Sequence, residues 1–170
     1  AVQTLIKCRA MRKQVQERSP FDKKIFCEKC GLSFRKKVSH EKLFWICRSH
    51  ANDAKSCTVT QILNTEIEQA FLHLYHKLRH QGISILTQLL TDLQSARKGK
   101  LLWSLEEDQT IQQIQELIEA LEAGPDFLDA FDGELFRELV DKIIVESNDR
   151  LRFRLVNGLE LTEPIERTVR

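Results

Sequence analysis

Four cysteines between residues 27 and 57 constrain the fold of this chain more than any other feature. Cys27 and Cys30 are separated by two residues and followed by Gly31, and Cys47 and Cys57 come later. Two thiolates at this spacing can bind one metal ion from a tight turn, for which glycine is well suited. Four thiolates complete a tetrahedral zinc shell without a position for water. The spacing therefore predicts one structural Zn²⁺ in a small zinc ribbon.

Other assignments of these cysteines are less favoured. Two disulfides require an oxidising compartment, and we expect no signal peptide. A thioredoxin-like redox pair requires a βαβ setting, and the sequence around Cys27 shows none. His40 or His50 could replace one cysteine, His50 being the better placed, so a histidine-containing variant stays open. Cys8 lies in a helical pattern and is expected to be a small apolar residue.

The charge distribution indicates a nucleic-acid partner. Residues 1–50 carry 13 Lys/Arg and 4 Asp/Glu, whereas residues 101–150 carry 3 and 14. A basic excess on the metal-binding segment is the pattern expected for contact with nucleic acid. A merely solvated basic surface is the alternative interpretation. The sequence contains no apolar run long enough to span a membrane.

The ribbon is predicted to contain a basic β-hairpin. A short strand over 24–27 precedes the first two cysteines, and 32–38 and 42–47 form the hairpin arms with 39–41 at the tip. A two-stranded ribbon fits the DNA major groove, and basic side chains near its tip would reach phosphates and base edges. The predicted DNA-binding residues are Lys23, Lys24, Arg35, Lys36, Lys37, His40, Lys42 and Arg48.

Helices are expected on both sides of this ribbon. Residues 1–17 predict a basic helix ended by Ser19-Pro20. After a polar loop over 48–56 and a strand over 58–63, Asn64 is expected to cap a helix over 65–80 that Gly82 closes. The predicted buried face of that helix contains Ile67, Ala70, Phe71, Leu74, Tyr75 and Leu78. Its histidines (His73, His76 and His80) are expected on a solvated face rather than at a metal.

Two further helices are predicted to pack antiparallel. The first covers about 83–105, and the second, capped by Asp108, covers 108–123, with a tight join at 105–108. The expected core stripe of the first contains Ile85, Leu86, Leu89, Leu90, Leu93 and Leu101. That of the second contains Ile111, Ile114, Leu117, Ile118 and Leu121.

The C-terminal region is predicted to end in a hairpin. A helix over 132–146 runs into a strand at 143–145, and the alternation in 151–155 indicates a half-buried strand. Asn157-Gly158 is a strong hairpin turn leading to 159–161. The tail after Pro164 is expected to fray.

Together these elements predict an α+β fold, with a small zinc β-ribbon mounted on an α-helical subdomain and a short C-terminal antiparallel β-sheet. The expected organisation is a basic linker helix, the ribbon, a helical region, a helix plus hairpin that completes the ribbon domain, and a tail. Their boundaries are 1–20, 21–63, 64–131, 132–165 and 166–170.

These residues resemble the recombinase zinc-ribbon domain of large serine recombinases. The resemblance rests on the cysteine pattern with Cys27-Glu28-Lys29-Cys30-Gly31, on Phe44-Trp45-Ile46-Cys47, on the helix from about Thr65, and on 135–145. It extends to the linker at Val2-Gln3 and so covers nearly the whole chain. Many members carry a long coiled coil here; only a short join near 105–108 occupies its place, so we expect the coiled coil to be missing and only its base to remain.

The resemblance implies recognition of a recombination attachment site in double-stranded DNA. It implies no catalysis by this chain, because the serine domain of such recombinases lies elsewhere. The chain begins without a methionine, so we expect it to be a fragment of a longer protein. We expect a cytoplasmic protein of a bacterium, phage or mobile element, without a membrane or small-molecule substrate. Self-association through the coiled-coil base is a further expected contact. The alternative function is a zinc-stabilised protein-interaction or oligomerisation module.

Overall fold

The computed structural model describes residues 18–99 and 104–166. The basic helix predicted over 1–17 lies outside these residues. In chain order the elements are β1 (Ile25–Cys27), β2 (Phe34–Ser39), β3 (Lys42–Cys47), α1 (Arg48–Asn52), β4 (Gln61–Leu63), α2 (Asn64–Lys77), a π-helical turn (Leu78–Gly82), α3 (Ile83–Gly99), α4 (Leu105–Ala123), α5 (Gly133–Leu139), β5 (Val140–Ser147), β6 (Arg150–Leu155) and β7 (Glu160–Pro164). The predicted α+β class is confirmed, and none of the helices described is both long and apolar enough to cross a bilayer.

A three-stranded sheet in the order β2-β3-β4 carries the basic hairpin. His40 and Glu41 form its two-residue tip, with φ angles of 48° and 62°. Positive φ at both central residues is what a tight hairpin turn requires, because its twist then matches that of the strands. The predicted hairpin is confirmed. The loop predicted over 48–56 instead begins with α1, and the strand predicted over 58–63 is confined to β4.

A four-stranded sheet in the order β1-β5-β6-β7 forms the second layer. The predicted C-terminal antiparallel strands are present, and Gly158 turns them with φ of 83°. The strand β1 adds to this sheet in parallel, with Ile25 opposite Ile143. The first ribbon strand is thereby hydrogen-bonded to the C-terminal region.

Aromatic side chains join the two sheets to the helices. Phe136 of α5 lies 4.9 Å from Phe21 and 5.3 Å from Phe71 of α2, measured between ring centroids. Phe21 in turn meets the edge of Trp45 of β3 at 6.2 Å. All four rings are buried. A single apolar cluster therefore supports both the hairpin and the C-terminal sheet.

The helix α2 does not end at Gly82, so that prediction is wrong. Leu78 and Ile83 both keep right-handed helical φ and ψ, and the chain continues through the π-helical turn into α3. One glycine weakens a helix by only about 1 kcal/mol, which neighbouring helical residues can offset. A Cβ at Gly82 would lie 3.1 Å from the Leu78 side chain, so packing favours the glycine. The six predicted core residues of α2 are all buried.

The helices α3 and α4 pack antiparallel, as predicted, with Arg97 of α3 3.1 Å from Asp108 near the start of α4. The cap of α4 is Ser104 rather than Asp108: Glu107 N donates to Ser104 Oγ, and Ser104 N donates to Glu107 Oε2. Residues 105–108 are therefore helical and do not form the predicted tight join. The predicted core residue Leu101 lies outside the described residues. The predicted core stripe of α4 is buried, whereas Ile85 and Leu89 of α3 are exposed.

Three boundary predictions differ from the structure. The side chain of Asn64 does not cap α2; it accepts from Trp45 Nε1 at 2.9 Å and donates to Glu68. Helix α5 ends at Leu139, earlier than predicted, because strand β5 begins at Val140. The tail does not fray directly after Pro164, since Ile165 is buried and its N–H donates to the Asp149 carbonyl.

Candidate metal centre and nucleic-acid interface

The first pair of cysteines lies in a tight turn at the end of β1. Gly31 has φ of 71°, and its N–H donates to the Cys27 carbonyl at 2.9 Å. Cys27 N in turn donates to the Leu32 carbonyl, which closes the turn. The backbone N–H groups of Lys29 and Cys30 are directed at the Cys27 sulfur. Such donors stabilise a thiolate, and the positive φ explains why glycine follows the second cysteine.

The second pair comes from the opposite side of the site. Cys47 is the last residue of β3 and directly precedes α1, so the N–H groups of Ser49 and His50 are directed at its sulfur. Cys57 follows the loop after α1, and Cys47 N donates to the Thr60 carbonyl just beyond it. The turn of α1 thus repeats the donor arrangement of the first pair.

The four sulfurs are placed to hold one metal ion. They all lie within 4.8 Å of one another, with Cys27 Sγ 3.6 Å from Cys57 Sγ and Cys30 Sγ 3.5 Å from Cys47 Sγ. A tetrahedron with zinc–sulfur bonds of about 2.3 Å has edges of about 3.8 Å. All four thiols are free, so no disulfide competes for them. The donor set therefore fits Zn²⁺.

Burial and backbone hydrogen bonds shift the pKa values of these thiols in opposite directions. Burial raises the pKa of Cys27 to about 12 and also raises that of Cys47. At Cys30 burial acts in the same direction, but the Leu32 N–H and the neighbouring thiols outweigh it and lower the pKa. Zinc must displace these protons, so binding the metal releases them.

Neither histidine belongs to this cluster. The Nδ1 atom of His50 lies 2.9 Å from the Cys57 carbonyl oxygen and positions that backbone. His40 is at the exposed hairpin tip, with Nδ1 3.0 Å from Ser39 Oγ. The histidine-containing variant is therefore wrong. The expectation for Cys8 lies outside the described residues.

The histidines of α2 and the following turn do not form a metal site, but His76 is not merely solvated as predicted. Its Nε2 accepts from Leu128 N at 3.2 Å, and its ring stacks on Phe127 with centroids 4.5 Å apart. His76 therefore connects α2 to the segment between α4 and α5.

Strand alternation divides the basic residues of the hairpin. Arg35 and Lys37 of β2 are exposed, as is Lys42 across the tip. Lys36 points the other way: its side chain is only 9% exposed, with Nζ 3.0 Å from Asp22 Oδ2 and 5.9 Å from the centroid of Trp45. Of these four side chains, Lys36 therefore contributes mainly to the packing beneath the hairpin.

The remaining predicted basic residues lie nearer the hairpin base. Lys23 is exposed with φ of 64°, and Arg48 is exposed at the start of α1. Lys24 is half-buried, donates to the Val140 carbonyl and lies over the Phe136 ring. Burial lowers the pKa of Lys24; Asp141 opposes this, and Arg137 adds to it. Lys23 and Arg48 are thus available to a partner, whereas Lys24 is held within the fold.

Two residues that support the metal centre were not predicted. Asn148, in the turn after β5, accepts from Thr60 N and donates to the Thr58 carbonyl, which fixes the segment after Cys57. Arg152 of β6 pairs with Glu28, which lies between the first two cysteines. These contacts join residues about a hundred positions apart, so no local pattern signals them.

Four converging thiols between a tight turn and a β-hairpin define a structural zinc ribbon. Residues 20–76 match the family described as the recombinase zinc beta ribbon domain. Comparison with curated proteins and with solved structures found no match.

The match indicates a recombinase-associated domain. The domain is a non-catalytic accessory domain of recombinases, which implies interaction with DNA in general. The four thiolates agree with this role, because a saturated shell leaves no position for an activated water. The matched residues end at His76, before α3, although β1 within them pairs with β5 outside them.

Proposed function

We propose that this chain is the DNA-recognition region of a large serine site-specific recombinase. In this proposal the ribbon binds the major groove at the outer end of an attachment half-site. The supporting observation is an exposed basic hairpin tip, formed by Lys37, His40 and Lys42, on a domain matching recombinase zinc ribbons. Strand cleavage would belong to another domain of the parent recombinase, acting through a serine.

The shape of the hairpin suits a major groove. A two-stranded β-ribbon fits this groove, which is about 12 Å wide and shows a different pattern of donors and acceptors for each base pair. The two-residue turn at His40 and Glu41 keeps the tip narrow. Lys37 and Lys42 flank it on the exposed strands. Lysine reaches guanine O6 and N7 as well as phosphates, so these side chains suit both contacts.

The proposal is tested with the 170-residue chain and fluorescent duplexes selected from a random library. Fluorescence anisotropy across a salt series should show affinity for the selected duplex that falls with salt, because phosphate contacts release counterions. Replacing the tip (Lys37→Gln, His40→Asn and Lys42→Gln) should reduce the preference for the selected over a scrambled duplex by about tenfold or more, since each base contact contributes about 1–3 kcal/mol. Asparagine is chosen at residue 40 because it tolerates positive φ.

A matched control variant loses the same number of positive charges at positions outside the hairpin. Lys55→Gln with Lys98→Gln replaces two exposed lysines and should preserve the sequence preference. An absence of binding at low salt, or binding that ignores salt, would contradict the proposed function. An unchanged preference in the tip variant would contradict the assignment of base contacts to the tip.

A second candidate function is a protein-interaction or oligomerisation module. The observation that favours it is the exposure of Ile85 (67%) and Leu89 (40%), one helical turn apart on α3. Analytical ultracentrifugation should then show an oligomer that Ile85→Gln with Leu89→Gln makes monomeric. A monomeric wild-type chain at all concentrations would reject this role. The two functions are compatible, because the surfaces are different.

A further inference from the structure

A groove of about 1120 Å³ runs beside β2, the edge strand of the three-stranded sheet. Three parts of the chain line it: residues 18–26, the base of the hairpin with α1, and Arg137 on α5. Arg137 lies outside the matched zinc-ribbon segment. Arg137 reaches the groove because α5 packs against the ribbon through Phe136 and Phe21.

The lining of this groove is strongly basic. Seven of the fourteen residues are lysine or arginine, and among the described lining residues Asp22 is the only carboxylate. Asp22 is already engaged, since its Oδ2 lies 3.0 Å from Lys36 Nζ and accepts from Ser19 N at 2.7 Å. The positive charge of the groove is therefore largely uncompensated.

Two of the seven cations form the floor. Lys36 lies over Trp45 beside Asp22, and Lys24 lies over Phe136 and donates to the Val140 carbonyl. The other five residues have exposed side chains around the groove. They are Arg18, Lys23, Arg35, Arg48 and Arg137.

These five rim cations are not paired with carboxylates of the described residues. Within residues 18–99 and 104–166, none of the five takes part in a salt bridge. Elsewhere, Lys77 pairs with Glu163, Arg79 with Asp126, and Arg152 with three glutamates. Arg79, Arg97, Arg152 and Arg154 are paired internally. Arg150 and several exposed lysines of the described residues are also without a salt bridge, so what distinguishes the five rim cations is that they line one groove together, where they are available to an external anion.

We propose that this groove binds the sugar–phosphate backbone of duplex DNA, and that Arg137 contacts phosphate outside the family's matched segment. This inference rests on the proposed function and assigns a second contact surface to it. The groove would supply sequence-independent affinity, because phosphate contacts position a protein without reading bases. The tip of the hairpin would supply the sequence preference.

The form of the groove favours duplex DNA over other anions. Five cations spread along an open groove exceed what one small phosphate compound would contact. Arg35 on the groove is followed two residues later by Lys37 toward the tip, about 6.6 Å further along β2, so the basic surface continues to the hairpin. Single-stranded RNA is usually held by exposed aromatic rings that stack on bases. Phe34 and Trp45 in the lining are buried and Phe26 is half-buried, so the described lining offers no fully exposed ring for such stacking.

The test compares two triple variants of equal net charge by fluorescence anisotropy on the same duplexes. The groove variant carries Lys23→Gln, Arg48→Gln and Arg137→Gln; the control carries Lys55→Gln, Lys98→Gln and Arg150→Gln, which replace exposed residues outside the groove. The groove variant should lose about a hundredfold in affinity for selected and scrambled duplexes alike, at up to about fivefold per contact. Its salt slope should fall by about three, one for each phosphate contact.

The single variant Arg137→Gln sharpens the result. It should lower the affinity for both duplexes by up to about fivefold and reduce the salt slope by about one. Arg137→Lys should restore the slope, because the positive charge is kept. Zinc content and far-ultraviolet circular dichroism equal to wild type confirm that these variants fold.

Each other outcome overturns the inference in a distinguishable way. If wild type binds duplex DNA and the groove variant binds it equally well, the groove assignment fails while the proposed function stands. Equal losses in both triple variants mean that only net charge matters, which also rejects the groove. Tighter binding of single-stranded RNA than of duplex DNA at the groove rejects the assigned partner. If wild type binds no duplex at low salt, the proposed function itself fails and the inference fails with it.

Discussion

The two sheets of this protein are stabilised by different means. Ile143, Val145 and Phe153 in the four-stranded sheet are completely buried, as an ordinary apolar core requires. In the three-stranded sheet Phe34, Trp45 and Ile62 are buried in the shared apolar cluster, whereas the outer face and tip of the hairpin are exposed. A sheet this small cannot bury enough apolar area to be stable by itself. Metal binding by the four thiolates at its end therefore replaces part of the stabilisation that a larger core would give. The difference shows how a protein can leave a rigid hairpin exposed to a partner.

The sheets meet at the metal centre. Cys27 is the last residue of β1, which belongs to the four-stranded sheet, whereas Cys47 is the last residue of β3 in the other. A metal bound by both would therefore link the two layers. Two substitutions separate the contribution of the metal from that of the apolar core, and two further ones test the packing of α4 and the ion pairs of β6.

The largest effect is expected from loss of one metal ligand. Cys47→Ser should reduce zinc content to near zero, because the remaining three thiols leave an incomplete shell; structural zinc contributes roughly 10 kcal/mol or more to small domains. Hydrogen exchange should show loss of protection in β2 and β3 but retained protection in β5 and β6. Full zinc content in this variant would refute the ligand assignment, and simultaneous loss of β5 and β6 would refute the separate stabilisation of the two sheets.

The next largest effect concerns the apolar core. Phe153→Ala should lower the free energy of unfolding by about 3–5 kcal/mol, because it leaves a cavity in a fully buried site. Urea denaturation measures the change, and the folded fraction should still bind one zinc. Phe127→Ala is the control, since Phe127 is 62% exposed and should cost less than about 1 kcal/mol.

A smaller effect is expected where α4 passes Tyr75. A Cβ on Gly124 would lie 2.6 Å from Tyr75 Oη, so Gly124→Ala should destabilise the protein by about 1–3 kcal/mol. The same substitution in a Tyr75→Phe background should cost less, because the clashing hydroxyl is gone. Gly99→Ala has no atom within 4 Å of the new Cβ and should instead be neutral or stabilise α3 by up to about 1 kcal/mol. Thermal denaturation showing equal effects at both glycines would contradict this packing.

The smallest effect is expected at Arg152, where Glu28, Glu146 and Glu160 converge on one guanidinium. Arg152→Gln should cost about 1 kcal/mol, since partly exposed ion pairs contribute little even in a network. Arg154→Gln removes a longer contact of 3.7 Å to Asp141 and should cost almost nothing. Equal stability of the two variants in urea would show that the three glutamates do not act together.

The metal centre and the hairpin could be predicted from the sequence because their signals are local. The Cys27-x-x-Cys30-Gly31 spacing and the strand periods on either side of His40 each lie within a few residues. Lys36 could also have been separated from Arg35 and Lys37, since alternate strand residues face opposite sides. The Ser104 to Glu107 capping box was likewise present as a local pattern.

The remaining features depend on contacts between distant residues. The parallel pairing of β1 with β5 joins positions 118 residues apart, and nothing near Ile25 indicates it. Helix α2 continues through Gly82 into α3, although a glycine near the end of a helical pattern usually indicates its end. The position of Arg137 in the basic groove likewise depends on the packing of α5 beside the ribbon, a contact between residues far apart in the sequence.

The central claim is that one zinc ion on four thiolates holds the hairpin in place, and X-ray absorption at the zinc edge of the purified chain tests it most directly. The account predicts one zinc per chain surrounded by four sulfur atoms at about 2.3 Å, as in other four-cysteine sites. A nitrogen or oxygen atom in the shell would contradict the assignment of Cys27, Cys30, Cys47 and Cys57. A fully folded hairpin in metal-free protein would contradict the role given to the metal.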